Sequence, residues 1–209
     1  APDGSIFMSA SAGGGPNLWR SQALGDHAGK ILRIRDDGSV PNDNPFVGRA
    51  DARPEIFTYG HQNIHAIAAH PDTGAIWSIE HGDEANILSA GANYGVGLPE
   101  DEPLAAEVDV TEPHISWIEP DIHPSGMLFY TGDAFPAWQG SLFIGGLNTN
   151  QMHRVAFDEA GNAGFRENLF SDIGQWVRDV RQGPDGFIYF TSYDHPDASG
   201  MIRRIEPAE

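Results

Sequence analysis

Apolar positions in this chain come in short runs that alternate with polar ones, and each run is closed by Gly, Pro, Asp or Asn. That period-two pattern, rich in Ile, Val, Phe, Tyr and Thr, predicts β-strands rather than helices. Ser5-Ile6-Phe7-Met8 and Lys30-Ile31-Leu32-Arg33-Ile34 open the series, the latter ending at the hairpin signal Asp36-Asp37-Gly38. Glu55–Tyr59, Ile64–Ala68, Ala75–Ile79 and Glu84–Leu88 read as a second module. Gly126–Tyr130, Ser141–Ile144 and Met152–Phe157 read as a third, and Arg178–Val180, Phe187–Thr191 and Met201–Ile205 as a fourth.

One phrase recurs in all four modules. Pro2-Asp3-Gly4 precedes Ser5-Ile6-Phe7, Pro71-Asp72-Thr73-Gly74 precedes Ala75-Ile76-Trp77, Trp138-Gln139-Gly140 precedes Ser141-Leu142-Phe143, and Pro184-Asp185-Gly186 precedes Phe187-Ile188-Tyr189. A tight turn feeding a β-branched and aromatic strand, repeated, is the signature of propeller blades. The expected fold is all-β, a β-propeller of four-stranded antiparallel blades with about four blades in a single domain over residues 1–209. The acidic, strand-poor stretch 98–113 reads as a long surface excursion between the second and third modules.

Composition narrows the function classes. Thirty acidic residues against 12 basic ones give a net charge of −18, which excludes the basic surface that nucleic acid requires. Cysteine is absent, so disulfides, thiol catalysis and Cys-ligated metal centres are excluded. No apolar run reaches the roughly 20 residues of a membrane span. The sequence opens within a blade and shows no secretory signal, so a mature or trimmed product is expected. The nine histidines, His27, His61, His65, His70, His81, His114, His123, His153 and His195, show no zinc-type spacing on one element, and structural or surface roles are their default.

Several motifs together resemble a known family. These are Gly29-Lys30-Ile31-Leu32-Arg33-Ile34, Tyr59-Gly60-His61-Gln62-Asn63, Glu80-His81-Gly82-Asp83-Glu84, Gly91-Ala92-Asn93-Tyr94-Gly95, Pro124-Ser125-Gly126-Met127 and Arg178-Asp179-Val180-Arg181-Gln182-Gly183-Pro184-Asp185-Gly186. In this order they resemble the soluble glucose/sorbosone (aldose sugar) dehydrogenases, six-bladed propellers that carry pyrroloquinoline quinone (PQQ) and calcium. The resemblance covers almost the whole sequence and matches the C-terminal portion of that propeller. It implies a quinoprotein oxidoreductase that oxidises aldoses at C1.

Carried over residue by residue, the resemblance implies cofactor contacts at Gln62, Asn63, His65, Asn148, Trp176 and Arg178. It implies calcium ligation at Gly82, Asp83, Glu84 and Tyr94. For Asp83 and Glu84 the alternative is a capped turn with solvated carboxylates. Here the chain also departs from the pattern. The family's Gly-His-Arg-Asn-Pro-Gln reads Gly60-His61-Gln62-Asn63-Ile64-His65, its Arg-x-Arg reads Trp176-Val177-Arg178, and Asn148 stands where the family has lysine. Two arginines and a lysine are thus missing, each a charge-assisted contact of roughly 1.5–3 kcal/mol to a tricarboxylate.

The family's general-base histidine belongs to a segment ahead of the turn that matches Pro2-Asp3-Gly4, outside this sequence. The catalytic residue is therefore unassigned, with His65 and His81 as weak candidates for a proton acceptor. Two functions stay open: a sugar dehydrogenase using PQQ and calcium, and a cofactor-less propeller that binds carbohydrate or acts as a scaffold. The expected partners are a small sugar and either a second copy of the chain or a missing N-terminal portion. The resemblance implies a periplasmic or secreted protein.

Overall fold

The computed structural model describes residues 1, 3–99, 108–117, 121–194 and 199–207. His195 and half of the 98–113 excursion, residues 100–107, lie outside the described residues. The first sheet is antiparallel, in the order β1 (Ile6–Ala10), β2 (Lys30–Ile34), β3 (Ile56–Tyr59), with Ile6 opposite Ile34 and Lys30 opposite Tyr59. Sequence grouping assigns Glu55–Tyr59 to the second module; pairing with β2 places it in the first. A strand's apolar pattern fixes which face is buried, not which neighbour it bonds.

The second sheet contains β4 (Ile64–Ala69), β5 (Ile76–Glu80) and β6 (Glu84–Ile87), and β7 (Ile115–Ser116) is a two-residue strand. The third runs β11 (Ala163–Leu169), β10 (Gln151–Phe157), β9 (Leu142–Gly146), β8 (Pro124–Phe129). The fourth is β12 (Trp176–Gln182), β13 (Ile188–Tyr193), β14 (Gly200–Ile205). The chain is all-β with four antiparallel sheets, as the repeat implies, but the first and last sheets have three strands among the described residues rather than four. Among the described residues no helix is long and apolar enough to cross a membrane.

Cα proximity divides the chain into two compact units. One comprises Ala1–Ala69, Gly74–His81 and Ala85–Pro113, and the other His70–Thr73, Gly82–Glu84 and His114–Glu209. The first unit is cored by Ile31, Ile76, Leu88 and Tyr94, with Phe7, Phe57, Ile64 and Ile67 packed around them. Each fully buried Ile or Leu contributes about 1.5–3 kcal/mol. The sole lysine, Lys30, is fully buried in this unit. Its Nζ donates to the carbonyls of Arg20, Ser21 and Ala28 at 2.9, 2.8 and 2.7 Å, using all three donors. Those bonds tie the 3-10 segment Gly15–Gln22 to β2.

In the second unit Tyr130, Phe143, Met152, Val177, Val180, Ile188, Phe190 and Ile205 form one cluster between the third and fourth sheets. Two glycines set the spacing there. A Cβ on Gly126 would lie 2.5 Å from the Asp179 Cα, and one on Gly145 would lie 2.6 Å from the Val177 carbonyl oxygen. The β12 backbone therefore rests directly on β8 and β9, a contact only glycine permits.

Candidate functional site

In the first unit the motif loop Gly60-His61-Gln62-Asn63 joins β3 to β4. Gly60 adopts φ 78° and its Cβ would collide with the Asn93 side chain, so the loop can turn here only with glycine. His61 is fully buried and acts as the loop's anchor. Its Nδ1 lies 2.7 Å from Glu80 Oε1, its Nε2 lies 2.9 Å from Thr58 Oγ1, and its ring stacks on Tyr94 at 4.7 Å. Because the carboxylate only accepts, Nδ1 carries a proton.

Glu80, also fully buried, holds the rest of the loop. Asn86 Nδ2 donates to Oε1 at 2.9 Å, and the Gln62 backbone N–H donates to Oε2 at 3.2 Å. The Gln62 carbonyl accepts from Ala12 N at 2.8 Å, and the Asn63 carbonyl accepts from His81 N at 3.0 Å. With the backbone pinned at both residues, the Gln62 side chain is half-buried and that of Asn63 exposed. Asn63 Nδ2 lies 3.2 Å from His65 Nε2, so the amide donates and Nε2 accepts. Gln62, Asn63, His65 and His81 are thus brought together. Tyr94 belongs to the same unit, where its hydroxyl donates to the Ile87 carbonyl at 2.7 Å.

In the second unit a cluster forms around Asp83, which adopts φ 58°. The His123 backbone N–H donates to Asp83 Oδ1 at 2.9 Å and to Asp121 Oδ1 at 3.2 Å. Asn148 Nδ2 donates to Asp121 Oδ2 at 2.9 Å. Partial burial, together with the Asp121 carboxyl bonded to it, pushes Asp83 up to about 6. Asp121, which accepts from Asp83 and from Asn148, is held below the usual carboxylate range. Of the pair, Asp83 is therefore the carboxyl that takes up a proton first as the pH falls. The structure joins a predicted calcium ligand, Asp83, to a predicted cofactor contact, Asn148, through Asp121.

Glu84 is half-buried on β6, and Gly82 is exposed beside it. Trp176 and Arg178 both lie on β12. The Trp176 ring meets Tyr193 edge-on at 5.3 Å, and Arg178 is exposed at the bulge between Val177 and Asp179. Among the described residues no group of three or more His, Asp or Glu is placed to hold a metal. Sequence reasoning overlooked Glu80 as the organiser of the motif loop and Asp121 as the partner of Asp83. Glu80 opens the motif Glu80-His81-Gly82-Asp83-Glu84, and an acidic residue closing a mostly apolar strand is the signal that marks it.

The donor set bears on the two groups the family carries. Two oxygen-bearing side chains, Asp83 and Asp121, both accept from the His123 N–H and lie side by side, a hard-oxygen pair that fits a hard cation able to relieve their repulsion. The predicted quinone contacts supply amides, one imidazole, one indole face and a single guanidinium, Arg178. That set offers a quinone hydrogen-bond donors but only one cation toward its carboxylates.

Comparison with known proteins agrees. The family described as Glucose / Sorbosone dehydrogenase matches residues 1–203. An uncharacterised protein of Synechocystis is 39% identical over 98% of this chain and 54% of its own length. Aldose sugar dehydrogenase of Escherichia coli is 34% identical over 98% of this chain and 58% of its own. The apo crystal structure of the soluble Escherichia coli enzyme superposes with a TM-score of 0.86 at 32% identity, over 98% of this chain and 61% of that one. A PQQ-bound aldose sugar dehydrogenase from Streptomyces coelicolor shares the fold, with a TM-score of 0.75 at 24% identity. The chain thus spans little more than half the length of the curated relatives it matches. With this match over nearly all of its residues, the chain belongs to the glucose/sorbosone dehydrogenase family.

Proposed function

We propose that this chain takes part in oxidising aldose sugars at C1, using PQQ and calcium, in a periplasmic or secreted setting. The observation that supports the reading is the motif loop. Its buried His61–Glu80 pair fixes the backbone of Gln62, the His81 N–H holds the Asn63 carbonyl, and the exposed Asn63 side chain bonds His65 beside them. In this reading Gln62, Asn63, Asn148 and Arg178 hold the quinone by hydrogen bonds and one charge, and Trp176 offers a stacking face. Gly82, Asp83 and Glu84 supply oxygen ligands for calcium. The bound group supplies hydride acceptance. The protein's own part is to orient the C1 hydroxyl and take its proton, for which His65 and His81 are the candidate bases. The products are the sugar lactone, a proton on the imidazole and the two-electron-reduced cofactor.

Reconstitution with PQQ and calcium, followed by dye-linked oxidation of a panel of aldoses, tests this reading. Sugar-dependent dye reduction that requires both additions supports it, and none in the face of demonstrated PQQ binding removes it. One observation favours a second reading, a cofactor-less carbohydrate-binding or scaffold module: Arg178 is the only cation in the predicted cofactor set. Saccharide binding that ignores PQQ and calcium would support that alternative. Association with a second copy, or with a further portion of a longer protein, belongs to either reading.

A further inference from the structure

Residues 12–21 of the first unit are bonded to the motif loop at both of their ends. At one end Ala12 N and Ser11 Oγ donate to the Gln62 carbonyl at 2.8 and 3.2 Å. At the other the Ser21 carbonyl accepts from Gly60 N at 3.0 Å and from the buried Lys30 Nζ at 2.8 Å. The residues between these ends are therefore held alongside the loop. Gly13 and Gly15 make the turns with φ 72° and 63°. A Cβ on either, or on Gly14, would meet nothing within 4 Å, so the space beside them is open.

Trp19 lies in this stretch, on the 3-10 segment Gly15–Gln22, and is 61% exposed. Tryptophan is highly buried on average, and Trp77, Trp117, Trp138 and Trp176 are buried or half-buried here. Among the described residues the Trp19 indole has neither a hydrogen-bond partner nor a ring partner. Side chains three apart eclipse on a 3-10 helix, so Trp19 shares a face with Gln22. Gln22 Nε2 donates to Asn93 Oδ1 and the Val96 carbonyl at 3.0 and 2.6 Å, and Val96 N donates to the Gly60 carbonyl at 2.9 Å. The face that carries Trp19 is thus the one tied to the motif loop.

The surroundings decide what suits an exposed indole there. Gly60–His65 contains amides and imidazoles but no carboxylate, lysine or arginine at its surface. The neighbouring Arg20 is neutralised by Asp26 at 2.6 Å. A fitting ligand is neutral, with an apolar face for the ring and a hydroxyl edge for the loop.

We propose that Trp19 is a stacking platform for a pyranose ring, its indole on the sugar's C–H face and the hydroxyl edge turned to the motif loop. This deepens the sugar-oxidising reading and rests on it. The site then takes ring-form sugars with an unbroken C–H face. The probe is methyl β-D-glucopyranoside, which has no free C1 hydroxyl to be oxidised, with open-chain sorbitol as control. Binding to the full chain is followed by tryptophan emission and by saturation transfer to the sugar protons. The expected result is a saturable response with a Kd of about 10 mM or tighter, and weaker binding of sorbitol. Trp19→Phe removes the emission change but keeps binding within about twofold, whereas Trp19→Ala weakens binding about three- to tenfold with the melting temperature unaltered. No saturable response, an emission change retained in Trp19→Phe, or undiminished binding by Trp19→Ala overturns the proposal. Dye-linked oxidation is scored separately. Aldose oxidation with an unaltered KM in Trp19→Ala overturns the platform and leaves the oxidising reading standing. Glycoside binding that depends on Trp19, without oxidation, keeps the platform and removes that reading.

Discussion

Removing the Glu80 carboxylate tests whether the motif loop is held as described. Glu80→Ala takes the acceptor from His61 Nδ1, from Asn86 Nδ2 and from the Gln62 N–H. A donor deprived of its partner in a buried site costs about 1–3 kcal/mol. Water can reach the half-buried Gln62 end, so the expected loss is about 4 kcal/mol rather than the full sum of three such penalties. Against a total stability of about 5–15 kcal/mol this is a large fraction. Glu80→Gln keeps the shape and one acceptor oxygen, but its NH₂ then faces the Gln62 N–H, donor against donor, at a cost of about 1–3 kcal/mol. In urea, with a slope of about 2 kcal/mol/M, the Ala variant should lose about 2 M in midpoint and the Gln variant about 0.5–1.5 M. If Glu80→Ala unfolds within about 0.3 M of the parent, the carboxylate is not the organiser claimed here.

The other predictions concern charge and cofactor. Burial lowers the His153 imidazole, so the unfolded chain takes up its proton first as pH falls through 6.5; stability is full above that value and declines below it. The midpoint of the parent should fall more between pH 7 and pH 5 than that of His153→Gln, and parallel curves would contradict this. Calcium should raise the melting temperature by mass action, and Asp83→Asn or Asp121→Asn should abolish the response, since Asn tolerates the φ of 58° at Asp83 and removes only the charge. Melting curves that coincide with and without chelator would reject the site. PQQ should bind no tighter than about micromolar for want of cations, and Gln62→Arg with Trp176→Arg should tighten it by restoring charge-assisted bonds; nanomolar binding by the unaltered chain would contradict the reading.

The turn-strand repeat made the sheets legible because it is local: a Gly turn and the apolar alternation after it lie within one short stretch of sequence. The strand β11 escaped for the same reason in reverse. Ala163–Leu169 is an edge strand with four of its seven residues exposed and no apolar alternation, and only its bonds to β10 define it. Lys30 carried no sign of burial, because carbonyls of the 3-10 segment and of Ala28, brought over its Nζ by the fold, create its cage. The motif loops around Gln62 and Asp83 were visible as sequence, but their organisers were not. Glu80 lies 19 residues from His61, and the His123 N–H reaches Asp83 across 40 positions. Such partners are set by tertiary approach, which no local pattern encodes.

The glycine contact between β12 and the third sheet also governs how the second unit comes apart. Where side chains separate two sheets, rotamer changes can absorb a partial opening; backbone resting on backbone has no such intermediate. The fourth sheet should therefore detach as a whole or not at all, and the amides of Val177 and Val180 should exchange with solvent at the same free energy as those of β8 and β9. Slow, shared exchange would make these strands one cooperative element, formed by segments as far apart in the chain as Gly126 and Asp179.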